Sequence, residues 1–276
     1  MKHTTHVAFG LLRFVLLPLA LVFGWPLVGQ ATQTLILPDV VDGGGWQSTI
    51  VLTNTSASPA SATLTFFQGT TGGATQPWIP PFQEVSSTAG LVLNGGSSLF
   101  LHTLGTAAVL SQGWAQINAG AGIVGYVIFA NNVPGLPEED ATAPAVAAAN
   151  DILVPYDDST GFATGIAIVN PTGTPQNISV GFRTTSGLVA TGAISAVPPM
   201  GYLAFDLATQ FPVIAGHVGL AEFYSATGNL SLIALRFNPT NSSTAAPAFF
   251  QSGGPLIVPA FAVPTAPTDP SNPYGY

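Results

Sequence analysis

The chain has 276 residues, of which only 6% are charged, with four Lys or Arg, twelve Asp or Glu and no Cys. So few basic residues exclude a surface that binds nucleic acid or anionic lipid, because phosphate recognition needs clustered Lys and Arg. The lack of Cys excludes disulfides, thiolate catalysis and thiolate metal sites. The length is sufficient for two domains that each bury a core.

Residues 1–31 have the pattern of a secretory signal peptide. Lys2 and Arg13 make the start basic, residues 14–28 are mostly apolar, and small residues stand at positions 29 and 31. An uncleaved anchor helix is the alternative. Cleavage is favoured because the apolar stretch is short for a membrane span and is interrupted by two prolines and a glycine. We therefore predict a secreted protein, extracellular or at the cell surface, that does not stay inserted in a membrane.

Two similar segments follow, residues 32–150 and 151–250. Each opens with a short apolar strand that ends in proline, Leu35-Ile36-Leu37-Pro38 and Ile152-Leu153-Val154-Pro155. Further matches keep their order along the chain: Asn54 with Asn170, Pro59 with Pro175, Phe66 with Phe182, and residues 113–117 with 219–223. The offset falls from 116 to 106, so the first copy carries ten extra residues, which we place around residues 76–83. The order of the matches predicts a tandem duplication.

Within each segment, short stretches alternate apolar and polar residues between clusters of Asn, Pro and Gly. This alternation predicts antiparallel strands with one buried face. The predicted strands are 48–53, 61–68, 97–102, 113–118 and 123–130 in the first copy, and 165–169, 177–183, 201–205, 219–224 and 230–237 in the second. We therefore expect an all-β protein with two tandem immunoglobulin-like antiparallel β-sandwiches. Residues 206–211 indicate one helical turn, with Asp206 as its cap.

One motif resembles a known family. Trp46-x-x-x-Ile50-x-Leu52-x-Asn54-x-Ser56-x-x-Pro59 is followed by Gly113-Trp114-Ala115-Gln116 and by Asn132-Val133-Pro134-Gly135. This pattern resembles secreted bacterial proteins with tandem immunoglobulin-like repeats. The resemblance covers nearly the whole chain after the signal peptide and implies secretion and the sandwich fold. It implies no activity, because none is established for that family.

Paired aspartates precede loops at equivalent places in the two copies. Asp39 and Asp42 precede three glycines, and Asp157 and Asp158 precede Ser159-Thr160-Gly161. Clustered carboxylates in such loops can ligate calcium, a hard cation that prefers oxygen. The alternative is that each Asp accepts hydrogen bonds from its own turn. The spacing favours this alternative, since neither loop matches a known calcium motif.

Trp78 and Phe82 lie among prolines in the extra loop of the first copy. Exposed aromatic rings on a rigid loop can stack on sugars, so this loop is a candidate polysaccharide site. The alternative is a loop that folds back over the edge of the sandwich. Trp46 and Trp114 recur as Phe162 and Leu220, so both are expected to be core residues.

The sequence predicts a protein that is not an enzyme. After the predicted signal peptide it has two histidines, His102 and His217, and no Ser or Asp stands at the spacing of a known catalytic motif. We expect no cofactor other than the calcium considered above. Glu222 and Arg236 are charged where the first copy has neutral residues, and we expect them to form an ion pair.

A third apolar strand, Leu256-Ile257-Val258-Pro259, precedes a proline-rich segment within residues 251–276. If residues 152–155 close the first domain, the third strand closes the second, and Leu35, Ile36 and Leu37 are left to pair with another copy. The alternative is that each domain keeps its opening strand. The favoured function is a structural or adhesive extracellular protein that self-associates as a fibre or surface layer. The other candidate is a module that binds polysaccharide or another ligand.

Overall fold

The computed structural model describes residues 31–250, apart from residues 133–138, 185–186, 227 and 241. The predicted signal peptide and the strand Leu256–Val258 lie outside the described residues. In the first half the strands are β1 (Thr32–Asp42), β2 (Trp46–Asn54), β3 (Ala60–Gly69), β4 (Thr75–Trp78), β5 (Leu91–Leu93), β6 (Ser98–His102), β7 (Ser111–Gly120), β8 (Ile123–Asn131) and β9 (Glu139–Pro144).

The second half contributes the remaining strands and one helix. The strands are β10 (Asp151–Asp157), β11 (Ala163–Val169), β12 (Gln176–Thr184), β13 (Gly187–Val197), β14 (Tyr202–Asp206), β15 (Val218–Tyr224), β16 (Ser231–Phe237), β17 (Ser243–Ala246) and β18 (Phe249–Phe250). Helix α1 (Leu207–Gln210) begins where predicted, since the Asp206 side chain accepts a hydrogen bond from the backbone N–H of Thr209. In the described part of the chain, no helix is long and apolar enough to cross a membrane.

The strands form four antiparallel sheets, and the order of pairing is the same in the two halves. In the first half β1-β7-β3 continues into β4 and β5, and the second sheet is β6-β2-β8-β9. In the second half the sheets are β18-β10-β15-β12-β13 and β14-β11-β16-β17. The prediction of an all-β antiparallel protein is confirmed, and each pair of sheets encloses a core in the manner of a β-sandwich. The immunoglobulin-like topology stays a prediction.

The two halves differ on the strand next to β3 and β12. On the side away from β15, β12 pairs with one long strand, β13. On the side away from β7, β3 pairs with two short strands, β4 at one end and β5 at the other. Residues 79–90 connect β4 to β5, and Phe82 in this connection forms a bridge with Thr103. The extra residues expected around 76–83 thus fall in β4 and in the loop that replaces the middle of a continuous strand.

Alternation places one face of each sheet in a core. In the first sandwich Leu37, Ile50 and Ile117 are buried between the sheets, and in the second Val154 and Phe223 are. Each such side chain stabilises the fold by about 1.5–3 kcal/mol when fully removed from water. The sandwiches therefore rest on strand alternation in both halves.

Asn54 and Asn170 show why the turn after β2 and the turn after β11 share a motif. Both side chains are fully buried. The Nδ2 of Asn54 donates to the carbonyls of Ser58 and Leu93, and its Oδ1 accepts from the N–H of Ser56. Asn170 makes the same bonds one sandwich later, to Thr174, Val197 and Thr172. An Asn at this position fixes the turn to the neighbouring strand, because its short side chain supplies two donor hydrogens and an acceptor.

Gly113 and Gly219 also occupy matching positions, at the start of β7 and β15. A Cβ on Gly113 would lie far inside van der Waals contact with the carbonyl oxygen of Phe67 on β3. A Cβ on Gly219 would meet the carbonyl of Arg183 on β12 in the same way. Both strand pairs approach so closely at this point that only glycine fits.

Candidate functional site

The two sandwiches are joined by a packed interface, which we call the inner joint. In an isolated sandwich the outward face of a sheet is exposed to solvent, but the outward face of the β14-β11-β16 sheet is buried. Its side chains are buried together with the core of the first sandwich: Ala167, Val169, Tyr202, Ile233 and Leu235. The expectation that each domain buries a separate core is therefore incomplete, because part of the apolar surface of the second sandwich is covered only by the first.

Asp39 and Tyr202 form the polar centre of the inner joint. The Tyr202 hydroxyl donates a hydrogen bond of 2.8 Å to Oδ1 of Asp39, and Nε2 of Gln112 lies 3.4 Å from Oδ2. Asp39 is 3% exposed and Tyr202 is 5% exposed. Burial raises the pKa of Asp39 to about 7, although the bonds from Tyr202 and Gln112 act to lower it. Burial and the nearby Asp39 carboxylate raise the pKa of Tyr202.

A β-bulge places Asp39 in this position. The pairing of β1 with β7 runs in register from Thr32 to Leu37 and resumes at Val40, so Pro38 and Asp39 both lie opposite Trp114. In the second sandwich Pro155 alone lies opposite Leu220, and the register is continuous. The first sandwich thus has one additional residue at the inner joint, and a bulge turns its side chain out of the regular alternation.

Trp114 and Thr75 complete the inner joint through the backbone of Met200. The indole Nε1 of Trp114 donates to the Met200 carbonyl at 3.1 Å, and Oγ1 of Thr75 donates to the same oxygen at 2.9 Å. Met200 has a φ of 55°, which costs an L-residue on the order of 1 kcal/mol. The two hydrogen bonds offset this strain. Trp114 is fully buried as predicted, but it lies under the second sandwich rather than between its own sheets.

Several cavities border the inner joint, and two of them touch the face formed by β11 and β16. One, of about 190 Å³, lies between Asp39 and Gln112 on one side and Ala167, Phe205 and Phe237 on the other. The second, of about 330 Å³, is apolar and is lined by the Ala-Pro segments that follow β9 and β17, together with Pro38, Ile233 and Phe250. Neither brings together groups with an evident chemistry.

The carboxylates of the aspartate loops are hydrogen-bonded within the protein, mostly to residues far away in the sequence. Asp42 accepts a hydrogen bond from the N–H of Gly105 at 2.7 Å, and Asp158 accepts from that of Gly216 at 2.9 Å. Asp157 accepts from both the backbone and the hydroxyl of Ser159. Within the described residues, no three His, Asp or Glu side chains are grouped as metal ligands. Asp39 bonds to Tyr202, so only Asp157 accepts hydrogen bonds from its own turn, and calcium binding by these loops stays a prediction.

The ion pair expected between Glu222 and Arg236 is wrong. Arg236 donates from Nε and Nη2 to Oδ2 of Asp157, at 2.8 and 2.6 Å, and its guanidinium lies 3.8 Å from the centre of the Phe162 ring. Glu222 lies on the other sheet of the sandwich and faces away from the core, because β15 presents Ala221 and Phe223 inward. Burial acts to raise the pKa of Asp157, but the bonds from Ser159 and Arg236 outweigh it and lower the pKa.

Trp78 and Phe82 fold back on the first sandwich. Trp78 pairs with Phe66 across β4 and β3, and the two rings meet edge to face with centroids 6.4 Å apart. The Phe82 ring lies 5.5 Å from that of Phe66. Both side chains are partly buried against the core. The loop covers the sandwich edge, which is the alternative weighed against a sugar platform.

The opening strand is paired within its own sandwich. Leu35, Ile36 and Leu37 pair with residues 115–117 of β7, and Ile36 also bridges to Val146. Strand β10 likewise pairs with β15 and β18 and closes no sheet of the first half. The conditional expectation that residues 35–37 are left over for another copy is therefore wrong, since each sandwich keeps its own opening strand.

His102 is hydrogen-bonded to Glu84 at the surface of the first sandwich. Its Nδ1 contacts Oε1 of Glu84, and its backbone N–H donates to Oε2 at 2.8 Å. Partial burial acts to raise the pKa of Glu84, but these bonds outweigh it and lower the pKa. The sequence offered no signal for the Glu84 partner, because it lies in the extra loop.

No family model matches the chain, and no curated protein is similar to it at a significant level. The resemblance to secreted bacterial tandem-repeat proteins therefore stays a prediction.

Proposed function

We propose that the protein is a structural, non-enzymatic subunit of an extracellular assembly, and that it associates with further copies of itself. The observation that carries the proposal is the inner joint, in which the outward face of one sheet is buried against the end of a neighbouring sandwich. Such a contact joins two different surfaces, so each sandwich retains one surface of the opposite kind.

Internal duplication is part of this proposal. The shared pairing order, the matching roles of Asn54 and Asn170, and the glycines at 113 and 219 support a common module for the two halves. One sandwich already packs on the other within the chain. The corresponding surfaces of each sandwich are therefore suited to packing between chains. Secretion and a surface with few charged residues are compatible with this role.

The alternative of a polysaccharide-binding module is less favoured, because the two rings that motivated it are partly buried. Its candidate rings, Trp78 and Phe82, are packed on Phe66 and serve the fold. We therefore retain only the structural proposal.

Self-association is tested with the full chain, expressed for export and purified from the medium or envelope. Sedimentation velocity over a wide range of concentrations, with electron microscopy of the same samples, is expected to show species that grow with concentration. A single monomeric species at every concentration would contradict the proposed function. Heating each sample to its unfolded state and back provides a control that distinguishes association of the native protein from aggregation.

A further inference from the structure

The inner joint has two unlike sides, and each has a counterpart elsewhere in the chain. One side is the end of β7 with Gln112 and Trp114, and the other is the outward face of β11 and β16. By the pairing register, Val218 and Leu220 on β15 hold the places of Gln112 and Trp114. We call these two residues the exposed end.

The counterpart of the buried face lies on the first sandwich. Ala167 pairs with Ala204 and Ile233, and in the same place Val51 pairs with Phe100 and Tyr126. In the next row Val169 faces Ser231, as Thr53 faces Val124. We call Phe100, Val124 and Tyr126 the exposed face.

Exposure differs sharply between counterparts. Ile233 is 4% exposed and Ser231 is fully buried, whereas Tyr126 is 38% exposed and Val124 is 51% exposed. Trp114 is fully buried, whereas Leu220 is 37% exposed. Large apolar side chains exposed together mark an interaction surface more often than a solvated one. Here they stand at the places that the inner joint buries.

The sizes of the central side chains differ between the inner joint and the exposed pair of surfaces. In the inner joint the bulky Trp114 belongs to the end, and the face carries the small Ala167 and Ala204. In the exposed pair the end carries the smaller Leu220, and the face carries the larger Phe100 and Tyr126. At these positions bulk has moved from the end to the face. Elsewhere the surfaces differ in other ways: Ser98 takes the place of Tyr202 on the face. On the end, Arg183 lies opposite Leu220, where the inner joint has Phe67 opposite Trp114.

We propose that the exposed face of one copy binds the exposed end of a second copy, in the arrangement that already joins the two sandwiches within the chain. The occupant of each surface is therefore another molecule of this protein. This inference rests on the proposed function and specifies its interface. Each copy has one exposed face and one exposed end. A copy that binds through one of them leaves the other free for a further copy, so the assembly grows head to tail.

The decisive experiment uses one charged substitution on each surface. Leu220→Arg damages the exposed end and leaves the face intact, while Tyr126→Arg does the reverse. Val92→Arg is the matched control, because Val92 is 71% exposed and belongs to neither surface. Each surface variant alone is expected to need roughly tenfold or more protein to associate, as for a hot-spot residue, and the control is expected to behave as the wild type.

Mixing the two variants provides the sharper test. A Leu220→Arg copy still has a face, and a Tyr126→Arg copy still has an end, so an equal mixture should form heterodimers and stop there. Formation of these heterodimers also shows that both variants are folded. Wild-type protein that associates while both variants associate equally well would overturn this interface and leave the proposed function standing. Wild-type protein that stays monomeric would overturn both.

Discussion

The hydroxyl of Tyr202 in the second sandwich donates a 2.8 Å hydrogen bond to Asp39 of the first, a residue 163 positions earlier in the chain. Tyr202 from β14 and Gln112 from β7 are the polar side chains bonded to this carboxyl group. The bond links the two sandwiches at a point where both partners are buried. The protonation state of Asp39 therefore bears on how firmly they are joined.

Stability is expected to fall between about pH 4 and pH 7 because of Asp39. Its pKa is about 7 in the folded protein and 3.8 ordinarily, so in this range the folded state holds a proton that the unfolded state has released. The free energy of unfolding then decreases as pH rises, by on the order of 4 kcal/mol at most, and levels off above the folded pKa. Asp39→Asn is expected to abolish this decline, which urea unfolding at several pH values measures.

Tyr202→Phe is the companion variant for this measurement. It removes a donor that lowers the pKa of Asp39, so this pKa should rise further and the decline in stability should extend to higher pH. The variant is expected to lose about 1–3 kcal/mol, most of it at high pH, where the carboxylate is charged and has lost a partner. Equal pH slopes for the wild type and Asp39→Asn would show that Asp39 does not titrate in this range.

Gly113 and Gly219 are each expected to be essential for the stability of the sandwich that contains them. Gly113→Ala and Gly219→Ala each force a Cβ against a carbonyl of the facing strand, so the strands must separate and stability should fall by about 3 kcal/mol or more. Gly173→Ala is the control, because a Cβ there meets nothing and the backbone is not left-handed. Thermal unfolding compares the three variants. Similar melting temperatures for Gly173→Ala and Gly219→Ala would contradict the steric argument.

The contact of Arg236 with Asp157 and Phe162 is expected to stabilise the second sandwich modestly. Arg236→Gln should cost about 1 kcal/mol near neutral pH, because the guanidinium is partly exposed and its charge is screened. The pKa of Asp157 is lowered in the folded state, so its contribution is present above about pH 4 and is lost as pH falls. Removing Arg236 should move acid unfolding to higher pH.

Arg236→Lys tests the geometry of the same contact. Lys keeps the charge but cannot donate from two nitrogens to Oδ2 of Asp157 or lie flat on the Phe162 ring, so the stability of this variant should fall between those of the wild type and the Gln variant. Acid titration followed by circular dichroism gives both midpoints. A Gln variant that unfolds at the same pH as the wild type would contradict the role given to Arg236.

Alternation and turn residues were sufficient to predict most strands, because each strand buries one face and its ends carry Asn, Pro or Gly. The predicted 61–68 and 123–130 lie within β3 and β8 for this reason. The ion pair of Arg236 could not be predicted in the same way. It depends on which sheet each strand joins, and alternation within a strand does not specify that.

The inner joint could not be predicted from the sequence for a related reason. Ile233 and Leu235 alternate with Leu232 and Ala234, so β16 is apolar on both faces, and this pattern does not say what covers the second face. Trp114 is the kind of residue expected in a core, and its type does not distinguish burial against the opposite sheet from burial against the neighbouring sandwich. The role of Asp39 required the bulge, which shifts the register by one residue and leaves no periodic signal.

The extra residue of the bulge, Asp39, distinguishes the inner joint from the proposed contact between copies, although both contacts use corresponding strands. The inner joint has Asp39 to bond with Tyr202, whereas the corresponding stretch of β10 has no added residue, and Ser98 stands in the place of Tyr202. A contact between copies would therefore lack the buried hydrogen bond between a tyrosine and an aspartate. On dilution, copies would part from one another long before the two halves of any chain separated, so a reversible assembly could be built from a permanent unit.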